Sequence, residues 1–148
     1  GTGRRFEVKG TVHGIRVIDD YGHHPTEIHV TLEAARRFAD AGRLIVIFQP
    51  HRYSRTKAFA EQFAKELDLA DRAILLEVYA ASEKPIEGVN SKIITSKMSK
   101  GEYIPNFVEV TDSVIADAQP GDVIMTLGAG DVSSLAPIIV EGLARRFA

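Results

Sequence analysis

The sequence predicts an α/β fold: a doubly wound, mainly parallel sheet with helices on both faces. Four short apolar runs, Ile15 to Ile18, Leu44 to Phe48, Ala73 to Leu76 and Val123 to Leu127, are continuous rather than alternating. Strands covered on both faces read that way. Amphipathic stretches at helical spacing separate the runs, and strand followed by helix, repeated, is the pattern of an open α/β sheet.

The elements follow in order. Phe6 to Val12 reads as a strand that turns through His13-Gly14 into the first buried run. Ile28, Leu32, Ala35 and Phe38 recur at helical spacing and predict a helix from Pro25 to Ala41, with Pro25 suited to the first helical position. Phe59, Phe63 and Leu67 mark a second helix after Thr56. Between Pro85 and Val108 the pattern is weak; Lys92 to Met98 reads as a helix and Phe107 to Val110 as a short strand. A last helix is expected from Val132 to Phe147, with Pro137 making its first turn separate or kinked. No internal repeat, linker or low-complexity segment interrupts the chain, so its 148 residues predict a single domain.

Composition narrows the function. With 45% hydrophobic and 26% charged residues the chain is an ordinary globular one, and no apolar run nears the roughly 18 residues of a membrane span. No membrane role is expected. Eighteen basic against 20 acidic residues give a net charge of -2, which provides no field for a nucleic-acid polymer, although local clusters still bind small anions. Cysteine is absent, so disulfides and thiolate metal sites are excluded and a cytoplasmic setting is compatible. The start, GTGRRFEVKG, has no secretory pattern and no initiating Met, which reads as a piece of a longer protein.

Unusual polar sequences follow all four apolar runs: DDYGHHP, QPHRYSR, VYAASE and GAGD. In open α/β sheets ligands bind beyond the carboxyl ends of the strands, so these loops are expected along one rim. Asp20, first past its strand, suits hydrogen bonds from a ribose, or else a turn or helix cap. His23 and His24 are adjacent and point in different directions, which argues against a shared metal; one of them is a candidate cap for the helix at Pro25. His13 and His29 read as turn and helix-surface residues. In QPHRYSR, Arg52 and Arg55 stand three apart where a loop enters a helix. With Ser54 or Thr56 as cap, both guanidinium groups converge on an anion. His51 and Tyr53 line that pocket or pack on the helix. The run Gly128-Ala129-Gly130-Asp131-Val132-Ser133 resembles GxGxxG with Ser in last place, in the strand-to-helix context where backbone amides approach a carboxylate or phosphate. The ATPase loop GxxxxGK[ST] is absent.

Taken together, GRRF, DDYGHHPTE, FQPHRYSRT, VYAASE and GAGD resemble the C-terminal domain of the Mur ligases of bacterial peptidoglycan synthesis, from Gly3 to about Ala136, and among them the L-alanine-adding members. The resemblance implies a Rossmann-like third domain, with the UDP-sugar and ATPase domains of the complete enzyme lying outside this chain. It implies ATP and Mg2+ as cofactors, with the Mg2+ ligands mainly in the central domain and no metal assigned here. It implies L-alanine and UDP-N-acetylmuramate as partners, joined through an acyl phosphate with release of ADP and phosphate. Residue by residue, it implies that Asp20 holds the ATP ribose and that Arg5 approaches the γ-phosphate. Tyr21, His23, His51, Arg52 and Arg55 would surround the amino acid and acyl centre, with His23, Arg52 and Arg55 as the catalytic groups. Gly128, Ala129, Gly130 and Asp131 would lie nearby at the substrate.

Two other classes compete. A metal-dependent phosphoesterase would use Asp19, Asp20, His23 and His24, with His51 and Asp131 the only further ligands on offer. A non-catalytic nucleotide-binding module would bind nucleotide tightly by itself.

Overall fold

The computed structural model describes residues 5–148, so Gly3 and Arg4 of the GRRF motif lie outside the described residues. The strands β1 (Glu7–Val12), β2 (Ile15–Asp20), β3 (Leu44–Phe48), β4 (Arg72–Leu75), β5 (Gly101–Tyr103) and β6 (Val123–Leu127) form one sheet in the order β1-β2-β6-β3-β4-β5. Only β1 is antiparallel, paired with β2 across a two-residue turn in which His13 and Gly14 both have positive φ. That backbone twist matches a tight hairpin. The other pairings are parallel.

Helices cover both faces. Along β3, Leu44, Val46 and Phe48 pack with Ile28 and Leu32 of α1 (Pro25–Ala39), Phe63 and Leu67 of α2 (Tyr53–Leu67) and Ile94 of the short α3 (Lys92–Thr95). Ile45 and Ile47 point the other way, into a cluster with Val110 and Val114 of α4 (Phe107–Asp117) and Ile139 and Leu143 of α5 (Leu135–Arg146). The period-2 alternation of a strand thus feeds two cores, which is why β3 has no polar side.

Most predicted elements are present, with shifted ends. The Val132 to Phe147 helix is divided as Pro137 requires: a separate 3-10 turn, Asp131–Ser134, precedes α5. Lys92 to Met98 is helical only to Thr95. The expected strand at Phe107 to Val110 is instead the first turn of α4. Its apolar, β-branched residues suggested a strand. However, Asn106 Oδ1 accepts the Glu109 amide at 2.9 Å and caps a helix there, and Val110 and Val114, four apart, bury one face. Edge strand β5, three residues long, carries no apolar run and was not anticipated.

Candidate active site

Register places the four motif loops together. Asp20 pairs with Leu127, Leu127 with Phe48, and Phe48 with Leu75, so the segments leaving β2, β6, β3 and β4 emerge along one edge, as expected. Backbone bonds stitch the neighbours: the Gln49 amide donates to Leu127 O at 3.0 Å and the Gly128 amide to Asp20 O at 3.1 Å. Beyond the strand ends, His51 and Tyr79 extend the parallel pairing by one bridge. In it the Tyr79 amide donates to Pro50 O at 2.8 Å and the Arg52 amide to Tyr79 O at 2.7 Å.

That bridge gathers the aromatic and basic side chains. The His51 ring stacks on Tyr79 with centroids 5.6 Å apart, lies 5.5 Å from the ring of His23, and His23 in turn meets Tyr21 edge-on at 5.0 Å. Arg55 Nη1 donates to His51 Nδ1 at 3.0 Å and to the His51 carbonyl at 3.1 Å. A guanidinium only donates, so Nδ1 of His51 accepts and its proton sits on Nε2. The opposite holds for His23, whose Nδ1 lies 3.0 Å from the carbonyl of Tyr21. A carbonyl only accepts, so His23 carries its proton on Nδ1 and leaves Nε2 as a bare acceptor when neutral. Burial, then the charges of His23, Arg55 and Arg52, push the His51 imidazole below the ordinary histidine value, so it is neutral at pH 7. His51 thus presents an N–H at Nε2, and the neutral form of His23 a bare nitrogen at Nε2.

Of the two helix N-termini at this edge, α1 is capped by a histidine as the sequence suggested and α2 is not capped by Ser54 or Thr56. At α1 the N-cap is His24, one of the two candidate histidines, in a capping box with Glu27; the Glu27 carboxylate accepts from the amides of His23 at 3.2 Å and His24 at 3.0 Å. At α2 the N-cap is Arg52, which has φ 75 and ψ 138. Thr56 Oγ1 donates back to the Arg52 carbonyl at 2.8 Å. Ser54 gives both its amide, at 3.0 Å, and its hydroxyl to the carboxylate of Glu83, which also lies 3.4 Å from Arg52 Nε. Ser54 and Thr56 fail as caps because each lies inside the first turn rather than before it. Glu83 follows a tight turn in which Ala81 (φ 50) and Ser82 (φ 69) are both left-handed. Such conformations cost on the order of 1–3 kcal/mol each for non-glycine residues and cluster where function holds them.

The GAGD loop is closed by a residue the sequence reading passed over. Gln49 Nε2 donates to Asp131 Oδ1 at 2.7 Å, and Gln49 Oε1 accepts the Val132 amide at 3.1 Å. A Cβ on Gly130 would stand 2.6 Å from the Tyr79 ring and 2.5 Å from Gln49 Oε1. Gly130 is thus small because two side chains cross it, and Val132 N already has a partner. Polarity at a strand end was the available signal for Gln49, and an aromatic in VYAASE for Tyr79.

Asp20 is buried, its Oδ2 accepting from the Phe6 amide at 2.7 Å and its Oδ1 from the Gly22 amide at 2.7 Å and Thr31 Oγ1 at 3.3 Å. A ribose reaches this carboxylate only if Phe6 yields. Arg5 Nη1 lies 3.4 Å from Glu27 Oε2. Asp19 turns to Thr126 Oγ1, 2.6 Å away, and the His24 ring packs 5.7 Å from Phe59. The phosphoesterase candidates therefore diverge, and among the described residues no three His, Asp or Glu side chains gather as metal ligands.

Known proteins share this architecture. The profile of the family described as "Mur ligase, glutamate ligase domain" matches residues 4–130. The chain is 50% identical over 143 residues to UDP-N-acetylmuramate--L-alanine ligase of Paenarthrobacter aurescens, covering 97% of this chain and 31% of that protein. The UDP-N-acetylmuramate-alanine ligase structure from Thermotoga maritima superposes with a TM-score of 0.75 at 30% identity, over 95% of this chain and 30% of that one. The MurF ligase of the same organism, solved in complex with ADP, shares the fold with a TM-score of 0.72 at 18% identity, over 100% of this chain and 33% of that one. The chain thus spans about a third of the length of the relatives it matches.

Proposed function

This chain belongs to the Mur ligase, glutamate ligase domain family, and from that premise we propose that it is the C-terminal domain of an ATP-dependent ligase that joins L-alanine to UDP-N-acetylmuramate. The observation that carries the reading is the cluster of Tyr21, His23, His51, Arg52 and Arg55 on one edge of the sheet. It accompanies 50% identity to an L-alanine ligase across nearly the whole chain.

The reaction converts the muramyl carboxylate to an acyl phosphate, and the alanine amine displaces phosphate to form the amide. Negative charge accumulates on the transferring phosphoryl oxygens and on the tetrahedral centre, and alanine brings a carboxylate of its own. Arg52 and Arg55 supply cationic hydrogen-bond donors for those charges, where preorganised electrostatics rather than covalent catalysis lowers the barrier. Arg55 is braced by His51 through Nη1, which leaves its other edge for a ligand. The bare Nε2 of His23 suits the proton that the attacking amine must lose, and the Nε2–H of His51 suits an oxygen.

For ATP the fit is partial. Arg5 stands at the rim, and Asp20 becomes a ribose acceptor only when the Phe6 contact opens. Among the described residues no three His, Asp or Glu side chains gather as metal ligands, and this reading puts the Mg2+ ligands mainly in the central domain of the complete enzyme. The domains for the UDP-sugar and the ATP phosphates lie, in this reading, in the part of the relatives that this chain does not span.

The test is alanine-dependent phosphate release by the complete enzyme containing this chain, given ATP, Mg2+ and UDP-N-acetylmuramate. Release indifferent to L-alanine would overturn the assignment.

A further inference from the structure

We propose that Glu83 is the positioning residue of the anion-binding edge, orienting Arg52 and the first turn of α2 for the substrate carboxylate. The proposal deepens the ligase reading and rests on it.

Three observations converge on Glu83. Its side chain is partly covered, and its carboxylate takes two hydrogen bonds from the first turn of α2, from the amide and hydroxyl of Ser54, while pairing with Arg52 Nε at 3.4 Å. A carboxylate that accepts two hydrogen bonds and pairs with a cation at once fixes the geometry of all three groups. Secondly, the backbone is strained on both sides of the contact. Arg52, Ala81 and Ser82 all have positive φ without being glycine, and the isolated bridge between His51 and Tyr79 fixes the same two loops. Strain of this kind persists only where surrounding contacts over-determine it. Thirdly, the edge of Arg52 that Glu83 takes is the Nε edge. Among the described residues the two Nη groups have no hydrogen-bond partner, and nearly half of the side chain is exposed. A guanidinium held at Nε presents its end-on pair of N–H groups, the fork that matches a carboxylate or phosphate with two parallel bonds.

A carboxylate beside Arg52 also subtracts from its pull on an anion. The arrangement gives up part of the attraction for a fixed direction, because a flexible arginine must lose its rotamer freedom on binding. The predicted signature is therefore on substrate binding, and it runs through Arg52.

The experiment is a double-mutant cycle in the complete enzyme with Glu83→Gln, Arg52→Ala and the pair, reading KM for L-alanine and kcat separately. Glu83→Gln is expected to raise KM by about tenfold with kcat within about threefold. In the Arg52→Ala background the same change should add almost nothing. Ser54→Ala, which removes only the hydroxyl contact, should raise KM in the same direction but less. Hydrogen exchange across residues 52–56 gives a readout independent of turnover and should quicken in Glu83→Ala. Impairment by Arg52→Ala with a normal KM in Glu83→Gln, or additive effects of the two, would overturn the positioning role and leave the ligase reading intact. An Arg52→Ala enzyme with unaltered KM and kcat would also overturn the positioning role, by removing Arg52 from the substrate edge, whereas the ligase reading fails only if phosphate release is indifferent to L-alanine.

Discussion

Gln49 reaches Asp131 at 2.7 Å across 82 positions of sequence, and the same amide receives the backbone of Val132 at 3.1 Å. One side chain therefore ties the loop after β3 to the loop after β6. The two loops with the strongest functional signals are thereby held to one another.

Removing that tie exposes its worth. Gln49→Ala leaves the buried Val132 amide without a partner, which costs about 2 kcal/mol. Gly130→Ala drives a methyl against Tyr79 and Gln49 Oε1 and should cost about 1–3 kcal/mol by overpacking. Urea denaturation of the chain measures both, and unchanged midpoints would show that the loops are not coupled in this way.

Arg52→Ala and Arg55→Ala should each slow ligation by the complete enzyme on the order of a hundredfold while leaving the fold intact, as loss of one preorganised donor does elsewhere. Circular dichroism separates folding from chemistry. Near-normal turnover at saturating L-alanine and ATP would remove both arginines from the reacting centre.

His29 links α1 to α2: its Nδ1 lies 2.6 Å from Glu66 and its Nε2 3.2 Å from Glu33. The hydrogen bond to Glu66, then the charges of Glu66 and Glu33, raise its pKa above the ordinary value, with Lys65 opposing. Because the folded value is the higher one, the stabilisation is fully present below about pH 6.5, the unfolded value, and disappears as pH rises through the folded value. His29→Gln should therefore lower Tm at about pH 5.5 and leave it unchanged at about pH 9. An equal loss at both would mean that the imidazole acts by packing alone.

The 148-residue chain by itself should fold yet release no phosphate from ATP, UDP-N-acetylmuramate and L-alanine. Buried clusters cover both faces of its sheet, but in the proposed reading the near-attack arrangement of acyl phosphate and amine uses groups from the part of the relatives that this chain does not span. Nucleotide affinity should be about millimolar, since Asp20 and Arg5 offer few contacts. Calorimetry with ATP tests this, and tight binding would favour the nucleotide-module alternative.

The sequence by itself determined the strand runs, the covered faces and the rim. Continuous apolar runs exist only where both sides of a strand are dry, so β2, β3, β4 and β6 were legible, as was the gathering of DDYGHHP, QPHRYSR, VYAASE and GAGD beyond their ends. Where the local signal was weak or shared between structures, tertiary context decided. β5 is three residues at an edge, too short for a period, and Phe107 to Val110 became a helix because Asn106 caps it and α5 takes its face. The contacts that hold the site were likewise hidden. Glu83 caps α2 from 29 positions away, and Gln49 closes GAGD from 82. Such partners are chosen by loop geometry after the sheet has formed, and no spacing along the chain encodes them.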